Sequence, residues 1–417
     1  MSAKPVFLRL PVELLDHIVK FCNDKATLST IRLVCESWES LAQPLLFDRT
    51  CIKPKPFNSP CESILSQDDS VIARRIRHIM FEDDKAVGLG PGVLLRYYLG
   101  VVNRLKEKGV SGDLRSLGLI FYTFDDVLFD KSAPTFFTSL TSSFSNIVEL
   151  NLWFCNENLE EFIRFMCSFP RLEILGVKFD AWLECSEKTS ESLAIVKCTL
   201  PESLKSFHCA HPFAHNSIAY FLEWVASHPP RSVEELSVLW TRTLNLEDYS
   251  RFCCKTLRHL LLNFRISGVY NTGIQDDSIR CDLSQLDVLE ILTVNFDSNY
   301  EFEEMHFMLD TLKSRRFRRI EFIIEPTPFE HSHMWADDGQ WEELDEVLAG
   351  SDKFVGVMVE IQVMASYVLF MDAEEQIRKI LRRCHSQGRL SVIPFYKDGP
   401  KEWSVIERWR RVDRGAD

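Results

Sequence analysis

A chain of 417 residues, 46% hydrophobic and 26% charged, has room for one small domain followed by a repeat array, and its composition excludes a collagen-like or largely disordered protein. The net charge of −13 argues against nucleic acid and against anionic membrane surfaces as partners, because both repel an acidic protein. Thirteen cysteines, odd in number and irregularly spaced, fit reduced thiols in a cytoplasmic or nuclear protein better than a disulfide framework. Residues 1–10 contain Lys4 and Arg9 but no apolar stretch with a small-residue cleavage site, so no secretory leader is expected. The most apolar later window, residues 354–371, is broken by Glu360 and Gln362 and alternates as a strand does, so no membrane span is expected there.

The first helix is expected to open at Leu10-Pro11-Val12-Glu13. Proline suits a first turn whose N–H has no partner, and Glu13 faces the positive end of the helix dipole. Leu14, Ile18 and Phe21 fall on one face, with Leu15, Val19 and Cys22 beside them. Asn23-Asp24 ends this pattern. A second helix is read from Thr27 through Ile31 and Val34, and a third segment carries Trp38, Leu41 and Pro44-Leu45-Leu46-Phe47. Some forty residues bury too little surface to hold three short helices alone, so an apolar face must meet a neighbouring part of the chain or another protein.

Leu10-Pro11-x-Glu13-Leu14-Leu15-x-x-Ile18, then Val34-Cys35-x-x-Trp38-x-x-Leu41 and Leu45-Leu46-Phe47, resembles the F-box over roughly residues 8–48. Glu36 departs from the pattern, since many members carry a basic residue after the cysteine. The resemblance implies docking onto a Skp-type adaptor protein, and through it onto a cullin. It places Leu10, Pro11, Leu14, Ile18, Val34 and Trp38 at adaptor-facing or helix-locking positions.

Residues 51–70, with Pro54, Pro56, Pro60 and Asp68-Asp69, read as a linker. Beyond them one pattern keeps returning, apolar-x-x-apolar-x-apolar. It appears at 76–81, 114–119, 147–152, 172–177, 204–209, 233–238, 257–262, 289–294, 317–322 and 354–359, with a weaker copy near Leu390. The nine steps from Ile76 to Phe354 average about 31 residues. Helix-period stretches lie between several copies, at 159–166, 218–225, 302–312 and 374–384. A repeated strand and helix implies parallel strands with crossovers, and a period of this length implies stacked units. The pattern resembles leucine-rich repeats of the helix-containing class. The expected fold class is therefore α/β: a small α-helical F-box, then a leucine-rich-repeat-like solenoid with strands on its concave side and helices on its convex side. The repeats depart from the family in the turn after each strand. Only Cys155 supplies the usual Asn or Cys there, and Asp180, Thr241, Arg265 and Asp297 hold the equivalent places. A doubly wound α/β sheet is the competing architecture.

Motifs for chemistry are weak. Gly88-Leu89-Gly90-Pro91-Gly92 places Val93 where a dinucleotide fingerprint needs its third glycine, and no Lys-Ser/Thr follows as in a P-loop. His331-Ser332-His333 near Asp337 and Asp338 lacks a cysteine pair at metal-site spacing. A non-catalytic chain with no cofactor and no metal is expected. Basic clusters at Arg74–Arg77, Arg315–Arg319, Arg378–Arg383 and Arg408–Arg411 read as solvated helix ends and faces, the sharper alternative being a site for an acidic or phosphorylated segment.

Strand alternation turns the residues between the apolar positions toward the concave side. The strip so defined comprises Glu149, Asn151, Trp153, Lys178, His208, Glu235, His259, Asn263, Thr293, Asn295, Arg319 and Glu321, with Trp153 as the strongest candidate anchor for a protein substrate. The expected organisation is an F-box at 1–50, a linker at 51–70, repeats at 71–395 and a tail or cap at 396–417. The expected role is substrate recognition in an SCF-type ubiquitin ligase, and the alternative is a binding scaffold outside any ligase.

Overall fold

In a computed structural model, residues 12–21, 25–34, 36–54, 76–82, 91–120, 133–154, 159–179, 198–210, 232–240, 253–264, 281–296, 302–324, 338–363 and 367–394 are described, with parts of 221–230. They fall in two compact units, residues 1–156 with 168–172, and residues 157–167 with 173–417.

The first unit begins with three helices, α1 (Val12–Phe21), α2 (Lys25–Ile31) and α3 (Glu36–Asp48). Val19, Leu28, Ala42 and Leu46 form their core, and Ile31, Trp38, Leu41 and Leu45 pack against it. Strand β1 (Arg49–Ile52) follows directly, so Cys51 and Ile52 belong to a strand and not to an irregular connection. β1 pairs in parallel with β2 (His78–Glu82), β2 with β3 (Ser116–Ile120), and β3 with β4 (Glu149–Phe154). Helices α4 (Pro91–Glu107) and α5 (Ala133–Ser143) lie between these strands in sequence. Phe81 of β2 meets Tyr98 of α4 and Phe136 of α5 edge-on, with ring centroids at 5.1 and 6.1 Å. The Tyr98 hydroxyl donates to the Glu82 carbonyl at 2.8 Å, which satisfies the one polar atom of a fully buried ring.

The second unit holds α6 (Leu159–Cys167) and eight parallel strands: β5 (Ile174–Phe179), β6 (Ser206–Ala210), β7 (Glu235–Trp240), β8 (His259–Phe264), β9 (Ile291–Phe296), β10 (Arg319–Ile324), β11 (Met358–Val363) and β12 (Leu390–Pro394). Each pairs with the next in chain order. A doubly wound sheet reverses strand order at a switch point; strictly sequential order within each unit leaves no such point and identifies stacked repeats. The second unit also holds helices α7 (Phe302–Thr311), α8 (Asp338–Gly350), α9 (Tyr367–Ile380) and α10 (Arg382–Ser386). Phe322 of β10 meets Trp341 of α8 edge-on at 6.1 Å, so the apolar positions of that strand face the helix.

Every copy of the apolar pattern before residue 325 delivers a strand two residues after its first apolar position. The copy at 354–359 is corrected. Ile320 pairs with Val359 and Phe322 with Ile361, so the pattern is read two residues later and the strand is Met358–Val363. Val357, Val359, Ile361 and Val363 form a period-two run, and a slip of two leaves every side chain on the same face, which is why the sequence does not distinguish the two readings. Gly356, at a positive φ of 81°, makes the turn that sets the later start.

Two devices stitch neighbouring repeats of the second unit. Just before the strands, one carbonyl accepts two successive N–H groups of the next repeat: Lys205 and Ser206 donate to Glu173, Arg258 and His259 to Glu234, and Arg318 and Arg319 to Glu290. The side chains in this row, Glu173, Lys205, Glu234, Arg258, Glu290 and Arg318, alternate in sign, with Lys205–Glu173 at 2.9 Å and Arg318–Glu290 at 3.1 Å. Exposed pairs of this kind stabilise by only about 0.2–1 kcal/mol each, yet a repeat displaced by one unit would set like charges together. Hydroxyls add a second seam: Ser232 donates to Leu204, Thr256 to Val233 and Ser314 to Leu289. At the far end, the buried carboxylate of Asp345 on α8 accepts the N–H groups of Arg383 and Cys384, at 2.8 and 3.0 Å, which caps α10. Burial and then the Asp345 carboxylate push the Cys384 thiol up to about 12.

Candidate functional site

On α1 the two apolar rows part company. Leu15 and Val19 are buried, whereas Leu14 is 50% and Ile18 is 42% exposed. The turn after α2, tightened by N–H groups of Arg32, Leu33 and Val34 on Leu28, Thr30 and Ile31 carbonyls, presents Leu33 and Val34 at 78% and 63%. These four are half of the eight large hydrophobics exposed among the described residues, concentrated in a module too small to be stable by its own core alone. Trp38, on α3, is half-buried and packs against the helical core. Leu33 was not among the sequence candidates; its position one residue before Val34, just past the end of α2, was the available signal. Leu10 and Pro11 lie outside the described residues.

The second surface is the strand face turned away from the apolar positions. In the first unit Glu149 and Asn151 of β4 are both buried, and the Asn151 amide donates to the Glu149 carboxylate at 2.8 Å. Glu82 of β2 accepts from Lys53 and from the Cys51 thiol, at 2.5 and 3.3 Å. Trp153 is in β4, paired with Ile120, and its side chain lies outside the described residues.

In the second unit a chain of polar contacts runs from strand to strand. Ser206 of β6 donates to Glu235 of β7 at 2.8 Å. His259 of β8 lies 3.9 Å from Glu235 by Nδ1 and 2.9 Å from the Thr293 hydroxyl of β9 by Nε2. Thr293 gives its one proton to Glu321 of β10 at 2.8 Å, so neutral His259 donates from Nε2 to the threonine oxygen. Arg319 donates to Glu321 at 3.1 Å and lies 4.0 Å from Glu360 of β11, which accepts from the Gln362 amide at 2.9 Å.

This ladder is recessed. Ser237, Thr293, Glu321 and Gln362 are buried, as is His208. Burial alone pushes His208 down to about 4. His259 is lowered as well, by burial first, against the raising influence of Glu235. Burial raises Glu321, although Thr293 and Arg319 work to lower it.

Of the other sequence candidates, Asn295 on β9 is half-buried and pairs with Ile323 and Asn263 in register. Arg319 keeps 30% of its side chain exposed. Lys178 and Asn263 are in β5 and β8, with side chains outside the described residues. Sequence alternation placed these residues on one face but gave no sign of the hydrogen-bond ladder, or of Ser206, Glu360 and Gln362 as its members. Outside the described residues lie Gly88, Gly90, His331, His333, Cys155, Asp180, Thr241, Arg265 and Asp297.

Within the basic clusters Arg77 pairs with Asp113 at 3.1 Å, Arg378 with Glu374 and Arg383 with Glu346, both at 2.6 Å. Among the described residues no group of three or more His, Cys, Asp or Glu side chains is arranged to hold a metal ion, and no helix is long and apolar enough to cross a membrane.

No curated protein matches the chain. A crystal structure of a Bacteroides fragilis protein is similar at 12% identity over 82% of this chain and 70% of the other, with a TM-score of 0.33, a likeness too distant to carry an argument. Residues 7–50 match the family model of the F-box domain, so the three amino-terminal helices, with their exposed Leu14, Ile18 and Val34, constitute an F-box domain.

Proposed function

We propose that this chain is a substrate receptor of an SCF-type cullin-RING ubiquitin ligase, with the F-box binding a Skp-type adaptor and the polar strand face binding a protein destined for ubiquitin transfer. The observation that carries the reading is the exposure of Leu14, Ile18, Leu33 and Val34 on a matched F-box, since a small helical module holding that much apolar surface in water is poised for a partner. Leu10 and Pro11, at motif positions, belong to the same proposed contact. The chain makes and breaks no bond in this scheme. It raises the local concentration of its substrate beside the transfer machinery that other subunits supply. The proposal includes work in the cytoplasm or nucleus, where the ligase acts.

Cullin recruitment tests it against the scaffold reading. The full-length chain, mixed with a Skp-type adaptor, a cullin and its RING subunit, is expected to elute as one assembly on size-exclusion chromatography. An adaptor complex that leaves the cullin in a separate peak would assign the chain to scaffolding outside a ligase.

A further inference from the structure

We propose that the Glu360–Gln362 end of the polar strand face is a subsite for the cationic head of an arginine or lysine side chain on a protein partner. The inference rests on the reading of this face as the substrate-binding surface, and it names what the substrate must present.

Three observations converge there. The first is charge. Along the ladder three acidic side chains, Glu235, Glu321 and Glu360, face one guanidinium, Arg319, so acidic groups outnumber basic ones there. Arg319 engages Glu321 by a hydrogen bond but stays 4.0 Å from Oε2 of Glu360, beyond hydrogen-bond reach. The second Glu360 oxygen accepts from Gln362 at 2.9 Å. Oε2 is therefore the carboxylate oxygen at which a further donor adds most.

The second is an orphan acceptor. Gln362 is 1% exposed and its Oε1 has no hydrogen-bond partner, although its Nε2 is satisfied by Glu360. Exchanging the amide's nitrogen and oxygen would leave one end unmatched in either orientation. A buried acceptor without a donor is a desolvation penalty that the free chain carries, and an incoming N–H removes it. A guanidinium or ammonium brings several N–H donors at once, more than Glu360 Oε2 alone can use.

The third is the apolar surround. Register places Gln362 between Ile323 of β10 and Ile393 of β12, and Met358 opens β11 on the same face. Met358 and Ile393 are 41% and 37% exposed. Arginine and lysine carry a methylene stem below the charged head, which matches two acceptors flanked by exposed aliphatic side chains. An acidic or phosphorylated segment would meet the wrong sign of charge here.

The test uses the full-length chain and short fluorescein-labelled Gly-Ser peptides carrying spaced arginines, lysines or glutamates, followed by fluorescence anisotropy. Arginine and lysine peptides are expected to bind and the glutamate peptide not. Glu360→Gln is expected to weaken the arginine peptide about ten-fold and Gln362→Leu about five-fold. Glu343→Gln, which removes the same charge from an exposed position on α8, is the control for general attraction to an acidic protein and is expected to change nothing. Melting temperatures of the variants report on the fold, so binding lost at an unchanged melting temperature is not a loss of folding. Absence of arginine binding, or an equal loss in Glu343→Gln, would overturn the subsite. Adaptor binding measured on the same samples keeps that outcome separate from the ligase proposal.

Discussion

Replacing Leu14 and Val34 together by aspartate is expected to weaken binding of a Skp-type adaptor by about a hundred-fold or more while leaving the melting temperature nearly unchanged. The separation of the two effects follows from burial. Leu14 and Val34 keep 50% and 63% of their surface in water and take no part in the Val19, Leu28, Ala42 and Leu46 core, so a charge at either place meets solvent in the free chain. Substitutions at such exposed positions usually move stability by no more than about 0.5 kcal/mol. In a complex the same carboxylates would be desolvated against an apolar partner surface, with nothing to pair them. Calorimetric titration with the adaptor, beside a thermal melt, reads both quantities. Val19→Asp supplies the contrast: its side chain is 1% exposed in the module's core, and it is expected to lose fold and binding together.

Acidification is expected to destabilise the repeat unit through His208. Burial lowers this imidazole from an ordinary 6.5 to about 4, so the unfolded chain takes up a proton more readily than the folded one. The resulting stability is fully present above the unfolded value and is lost as pH falls through the window from 6.5 toward 4. Each unit of difference corresponds to about 1.4 kcal/mol, which makes the His208 contribution about 3 kcal/mol at most. His259, also lowered, acts in the same direction. Glu321 opposes them, because its raised carboxyl favours the folded state as pH falls. Urea unfolding of the intact chain and of His208→Gln, at neutral pH and near pH 4, isolates the term. The substituted chain is expected to lose less stability on acidification, and equal losses in both would mean that the ring is not held neutral by burial.

Much of this architecture was legible from residues. The pattern of Ile79 and Phe81, or of Leu260 and Leu262, states the strand, its inward face and its place in a series, because a period of two inside a longer repeat has few structural interpretations. The slip at residues 354–359 shows the limit: where apolar residues recur beyond the motif, as from Val357 to Val363, periodicity fixes the face but not the register. On α1, both the Leu14–Ile18 row and the Leu15–Val19 row are apolar, so choosing the buried one needs the position of α3. The polar ladder was half visible. Alternation assigns Glu235, His259, Thr293 and Glu321 to one face, but contacts between side chains some thirty residues apart depend on strand pairing, which no local pattern encodes. The opposed charges of Glu173, Lys205, Glu234, Arg258, Glu290 and Arg318 were open to view in the sequence; they become meaningful once the repeat register sets them side by side.

The central claim is that the amino-terminal helices bind an adaptor through an apolar face left in water. Its most direct test is to co-purify the full-length chain with a Skp-type adaptor and to determine the mass of the complex by light scattering. One adaptor per chain, stable through size-exclusion chromatography, is the expected result. Two separate peaks at concentrations well above those of an ordinary stable complex would contradict the claim.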